Sequence, residues 1–274
     1  MSAPDFSVTG VQIPVQKLKN LNKIKLQLKQ TILSEGNEVR GGCIVPNGNL
    51  VFTDYSETRQ CLAVYKKDGT FLHGIPLSPA SAFGIASLVK STVVVSGGHT
   101  KTISVIDVNN KKILSSIQTD CGCYGITKHK GQILFCGENT GLLKYDVDRK
   151  TISLFFSDKT VSTYSNIISN GDKICYTNPN VVTLLDSQGK KLFQVRDDDL
   201  IKSPRGIAMD EFMNIYLVGL DSHNLVVISP DGKDKLELLC RKDCGLKFPA
   251  AVYYDSGQLL ICQGFGWAFL YAVK

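Results

Sequence analysis

No stretch of this sequence approaches the run of about 18 apolar residues that a membrane-spanning helix needs. The opening residues, Met1 to Gly10, have neither the basic start nor the apolar stretch of a secretory signal, and no Asn-x-Ser/Thr glycosylation site occurs anywhere. No two cysteines are separated by two residues, which excludes the ligand spacing of zinc fingers, RING and B-box domains. The nine cysteines are an odd number scattered through apolar runs, a pattern of buried thiols in a reducing compartment, so a cytoplasmic location is expected. Proline is sparse (9 residues) and helical periodicity is missing, whereas glycine is plentiful (24 residues), as a chain with many turns requires. With 43% hydrophobic and 20% charged residues the composition is that of an ordinary globular protein, and the net charge of +6 matters only if one face concentrates it.

An internal repeat organises what is there. One unit returns six times: a small residue, an apolar residue, a turn, then a β-branched run. Its anchor position falls at Gly41, Gly84, Gly125, Asn166, Gly206 and Ala250, spaced by 43, 41, 41, 40 and 44 residues. That period matches a four-stranded propeller blade, and the short Val/Ile/Leu runs between Gly, Asn and Asp turns suit strands buried on both faces. The expected fold is all-β: a six-bladed β-propeller over residues 22–274, preceded by an N-terminal extension over 1–21. The last unit lacks one strand. Lys23 to Lys29 alternates polar and apolar residues, so it is expected to close the ring as the outer strand of blade six, with Lys23, Lys25 and Lys29 in solvent.

The fifth unit reads Pro204-Arg205-Gly206-Ile207-Ala208-Met209-Asp210, then Asn214-Ile215-Tyr216, then His223-Asn224-Leu225. In this it resembles the NHL repeat, and residues 22–274 resemble the C-terminal NHL propeller of tripartite-motif (TRIM) proteins of divergent invertebrate type. Asn166 replaces the anchor glycine of unit four, and Gly219 stands where that family usually carries Asp. The resemblance implies a substrate-recognition module of a larger ubiquitin ligase, whose zinc-binding RING and B-box parts do not occur in this chain.

Strand alternation assigns loops to faces. Loops after strand two and before strand one share face one, which carries Tyr55, Arg59, His99, Asn139, Asn178, His223 and Phe265 together with Arg40, Phe83, Tyr124 and Arg205 just before the anchors. These are the candidate partner-binding residues, because aromatic and Arg side chains anchor protein interfaces. An alternative for the same positions is that Phe83 and Tyr124 pack between blades while the arginines pair with Asp54 or Asp221. Face two holds the hairpin turns and most of the positive charge (Lys66, Lys67, Lys111, Lys112, Lys128, Lys130, Arg149, Lys150, Lys190, Lys191), as either a phosphate-binding surface or solubilised turns. Face one comes out slightly acidic. The resembled family also includes members that read RNA on face one, so single-stranded RNA is the second partner class after a protein or peptide.

Catalysis fares worse. The four histidines sit at unrelated places in their units, so they do not converge on the axis as an axial-metal lactonase or lyase would require, and no metal or cofactor is expected. Cys121 with Cys123 and Cys240 with Cys244 lie on opposite sides of the ring and are expected as free thiols, and Trp267 is expected in the core. The chain is therefore read as a monomeric, non-enzymatic binding module.

Overall fold

A computed structural model describes residues 20–34 and 38–274. Six four-stranded antiparallel sheets are arranged as a six-bladed β-propeller. Blades one to five each use four consecutive strands, spanning 39–76, 85–118, 123–157, 167–195 and 204–240. Blade six takes Pro249–Asp255, Gln258–Gln263 and Trp267–Val273 from the C-terminus and Leu26–Leu33 from the N-terminal side. Leu26 pairs with Val273 and Leu33 with Trp267, so the first and last strands close the ring without leaving a seam between unpaired repeats. No described helix is long and apolar enough to cross a membrane. Residues 1–19 of the expected N-terminal extension lie outside the described residues.

The core lies between blades. In the second strand of blade two, Val93 and Val95 pack with Val51, Leu62 and Val64 of blade one, while Val94 packs with Ile133 and Phe135 of blade three. In blade five, Tyr216 and Val218 face blade six, and Ile215 and Leu217 face blade four. A strand's side chains alternate between its faces, so a strand sandwiched between two neighbours must be apolar at every position. Burying each such Val or Leu is worth about 1.5–3 kcal/mol, and six interfaces repeat the arrangement.

The anchor glycines are set by the approach of inner strands round the axis. A Cβ on Gly206 would lie 2.4 Å from the Ala251 Cα, and one on Gly125 equally close to the Asn166 Cα. Beside the anchors, hydroxyls tie blade to blade. Thr53 Oγ1 donates to the Phe83 carbonyl at 2.9 Å, Ser96 Oγ donates to the Tyr124 carbonyl, and Thr177 Oγ1 donates to the Arg205 carbonyl at 3.2 Å. Each bond holds the residue just before the next anchor, which fixes the floor of face one.

Two details differ from the sequence reading. The closing strand begins at Leu26 rather than Lys23, because Leu21–Lys23 forms a 3₁₀ turn with Asn20 as its cap, and a bulge between Leu28 and Gln30 shifts the alternation so that Leu28 is exposed and Ile32 buried. Lys23, Lys25 and Lys29 are exposed as expected. A single α-helical turn, Arg241–Cys244, ends at Gly245 with φ +72°; one turn is too short to leave a 3.6-residue pattern in the sequence.

Candidate recognition surface

The propeller axis is narrow, and most of the side chains lining it are aliphatic. Its channel, about 40 Å³, is lined by the inner strands through Gly84, Ile85, Ile126, Ile167, Ile207 and Val252, with Arg40 at its face-one mouth. Among the described residues no group of three or more His, Cys, Asp or Glu side chains could hold a metal ion. The histidines are used separately: His73 Nε2 donates to the Val108 carbonyl at 2.9 Å, His129 Nδ1 pairs with Ser169 Oγ at 2.7 Å, His99 Nδ1 meets the Tyr55 hydroxyl, and His223 Nδ1 accepts the Phe248 N–H at 2.9 Å. Cys43, Cys61, Cys121, Cys123, Cys136, Cys175 and Cys262 are free thiols, and Cys244 Sγ donates to the Cys240 carbonyl at 3.1 Å. Burial pushes the thiols of Cys43, Cys121, Cys123, Cys136 and Cys175 up, and that of Cys262 up to about 12, which suppresses the nucleophilic thiolate.

Face one divides into a closed arc and an open arc. Over blades one to three, Tyr55, Phe83 and Tyr124 form an edge-to-face ladder with centroid separations of 5.2 and 5.0 Å. Phe83 is 4% exposed and Tyr124 3%, so both rings are packed between blades. The two tyrosine hydroxyls are satisfied, that of Tyr55 by His99 and that of Tyr124 by Glu138 Oε2 at 3.5 Å. Burial, then the Glu138 charge, pushes the Tyr124 phenol up. Arg59, His99 and Asn139 are exposed on this arc, with Asn139 in a left-handed turn at φ +55°. Asn178, at the edge of the arc, is buried and donates to Thr160 Oγ1 at 2.8 Å.

Over blades four to six the aromatic groups are exposed. Tyr164, at the tip of the turn closed by the Ser165 N–H to Ser162 carbonyl bond, reaches across the channel mouth. The Arg205 guanidinium carbon lies 3.8 Å from its ring centroid and that of Arg40 lies 6.0 Å away. Arg40 is paired: its Nε donates to Glu38 Oε1 at 3.1 Å and its Nη2 to the same oxygen. Arg205 is half-buried, its Nε is buried without a hydrogen-bond partner among the described residues, and burial holds its pKa below the usual guanidinium value. Neither arginine forms an ion pair with Asp54 or Asp221; Asp221 accepts from Ser203 Oγ.

These groups line a cavity of about 470 Å³ whose apolar wall is Leu220, Phe248 and Phe265. Phe265 is 70% exposed. It meets Phe248 edge-on at 5.8 Å, and Phe248 meets His223 edge-on at 4.5 Å. Phe248 has φ +46°, a left-handed conformation that is strained for a bulky residue; its N–H bond to His223 and the Gly264 N–H bond to its carbonyl at 3.0 Å hold it there. A second cavity of about 540 Å³ shares Phe248 and Phe265 and continues past Lys247 to Trp267 and Phe269. Trp267 is 44% exposed, so the expectation of a core tryptophan is corrected: it begins its strand at the rim and not beneath it.

The sequence reading singled out Arg40, Arg205, His223 and Phe265 of this arc and missed Tyr164 and Phe248. Both missed residues stand two before their anchors, where the other units carry Val39, Ala82, Cys123 and Pro204. An aromatic at a position otherwise occupied by smaller residues was the available signal. A larger depression of about 840 Å³ lies elsewhere, beside Asn20, Asp197 and Ser229. Its Asp197 is already paired with Lys235 at 2.6 Å and its Asp231 accepts from Ser229 at 2.6 Å, so these two carboxylates are engaged internally.

No protein-family model matches this chain, and no curated protein matches it in sequence. Among solved structures it is similar to a structural-genomics protein of unknown function from Bacteroides thetaiotaomicron, with 13% identity, a TM-score of 0.74, and 92% of this chain and 76% of that one covered. It is also similar to selenomethionine-substituted virginiamycin B lyase from Staphylococcus aureus, with 14% identity, a TM-score of 0.66 and coverages of 91% and 99%. A streptogramin B lyase structure matches at 16% identity and a TM-score of 0.65, with coverages of 89% and 81%. At such identities the likeness is one of fold.

Proposed function

We propose that this propeller is a non-catalytic recognition module that binds a protein or peptide on the open arc of face one. The observation that carries this reading is the contiguous exposed surface of Tyr164, Phe248, Phe265 and Trp267 beside the two arginines, the residue types that dominate interface energetics. Singly exposed apolar residues are ordinary; several sharing two adjoining cavities are not. The sequence resemblance to TRIM-type NHL propellers supports a role in selecting substrates for a ubiquitin ligase, and the free thiols support an intracellular setting.

Two other readings are weaker on these residues. The exposed lysines of face two, such as Lys66, Lys111, Lys150 and Lys190, are dispersed over separate hairpins, whereas phosphate neutralisation works through a continuous stripe. Two of the similar solved structures are lyases, but the side chains lining the axial channel here are mostly aliphatic and the face-one histidines are tied to Tyr55 and Phe248. Affinity capture from RNase-treated extract tests the reading, with wild type compared against Phe265→Ala. Protein partners that survive RNase and disappear in the variant are expected. Capture that depends on RNA, or on face-two lysines in place of Phe265, overturns it.

A further inference from the structure

The open arc contains one group whose chemistry is unfinished. The Arg205 guanidinium is half-buried and stacked on Tyr164, and its Nε is withdrawn from water without an acceptor among the described residues. A guanidinium carries five N–H donors in a planar fork that matches a carboxylate, and a desolvated donor left unpaired is costly. Arg40, the other cation of the cavity, already spends Nε and Nη2 on Glu38. Among the described residues the cavity's charged lining is thus Glu38, Arg40 and Arg205, an excess of one positive charge set against an apolar wall, with the Asp221 charge acting on Arg205 from outside that lining.

Resting on the face-one reading above, we infer that the partner presents an Asp or Glu side chain to Arg205 and, next to it, a large apolar side chain to Phe248 and Phe265. A single excess cation fits one carboxylate; a nucleic-acid backbone brings a charge with every nucleotide and needs several cations in a row. The aromatic surface continues into the second cavity towards Trp267, so the bound chain runs on past the carboxylate and does not end there. An internal acidic-hydrophobic segment of a linear peptide is the occupant these features describe. Charge-assisted fork geometry at Arg205 supplies orientation, and the aromatic wall supplies most of the buried area.

The test is selection of random linear peptides displayed on phage against the full chain, in parallel with Phe265→Ala, Arg205→Gln and the face-two control Lys190→Ala, each checked for an unchanged thermal melt. The expected outcome is enrichment of Asp or Glu beside Phe, Trp or Leu. A synthetic copy of the most enriched peptide, blocked at both ends, loses about tenfold or more in affinity when its acid becomes the amide. That loss vanishes against Arg205→Gln, because the group it met is gone. If peptides are selected and depend on Phe265 but the amide copy binds equally well, the carboxylate inference falls while the recognition reading stands. Binding that requires a free peptide C-terminus overturns the side-chain source. Oligouridylate bound more tightly than the selected peptide, and lost in Arg205→Gln, overturns the peptide class. If no peptide prefers wild type over Phe265→Ala, the recognition reading falls, and this inference with it.

Discussion

The two arcs of face one are built from the same kinds of residue and treat them in opposite ways. Over blades one to three, Tyr55, Phe83 and Tyr124 are stacked edge to face, and the hydroxyls of Tyr55 and Tyr124 are occupied by His99 and Glu138. Over blades four to six, Tyr164, Phe248, Phe265 and Trp267 stand exposed, and Arg205 has donor capacity to spare. The difference is one of backbone placement. Phe83 and Tyr124 directly precede their anchors, and their carbonyls are held down by hydroxyls of the preceding blade. Tyr164 and Phe248 stand one residue further back, at a turn tip and at a left-handed residue, which lifts them off the ring. Residue type alone therefore does not separate mortar from binding surface in a propeller; backbone placement does.

Truncating one aromatic from each arc gives the largest contrast. Phe83→Ala removes a buried ring from the ladder and is expected to lower the unfolding free energy by about 3–5 kcal/mol, read from urea denaturation midpoints. Phe265→Ala removes an exposed ring and is expected to change stability by less than about 0.5 kcal/mol while abolishing partner capture. Equal losses in the two variants would erase the distinction between arcs. Ser96→Ala comes next: its hydroxyl accepts the Gly84 N–H at 3.0 Å and donates to the Tyr124 carbonyl, and removing it leaves both buried groups short of a partner. A loss of about 1–3 kcal/mol is expected on the closed arc, with face-one binding retained.

The architecture was legible because a propeller repeats. The six anchors, the closing N-terminal strand and the assignment of loops to faces all follow from period and alternation, and the inner-strand contacts at Gly125 and Gly206 give the physical reason for two of those anchors. The site was legible only in part. Arg40, Arg205 and Phe265 were visible as residue types at face-one positions, but nothing local distinguishes the buried Phe83 from the exposed Phe265. Phe248 depends on a positive φ held by His223, twenty-five residues earlier, and Trp267 on where a strand happens to begin. Such outcomes are decided by contacts between blades, which periodicity in one blade does not carry.

A smaller effect marks the boundary between the arcs. Asp158 is partly buried, which alone would raise its pKa, but hydrogen bonds from the Thr160 hydroxyl at 2.6 Å and the Tyr176 hydroxyl at 2.6 Å outweigh burial and hold it below the usual carboxylate range. A carboxyl whose pKa is lower folded than unfolded contributes stability above its unfolded value, and that contribution is lost as pH falls through the folded one. Wild type should therefore lose stability on acidification below about pH 4, and Asp158→Asn should show a shallower slope there in denaturation measured across pH. An unchanged slope would mean that the Tyr176 hydroxyl is anchored by something other than this carboxylate.

The smallest expected effect is also the most discriminating for the open arc. If Arg205 were mortar like Tyr124, removing its charge would cost stability; if it is kept for a ligand, its donors do nothing for the free protein. Arg205→Met retains an unbranched side chain over the Tyr164 ring and discards a half-buried cation with an unpartnered Nε. Stability is then expected to stay within about 0.5 kcal/mol of wild type or to rise slightly, the usual exchange at sites where function holds a group in an unsatisfied state. A loss above about 1 kcal/mol in the same urea measurement would instead place Arg205 among the structural groups of the ring, and the open arc would shrink to its aromatic residues.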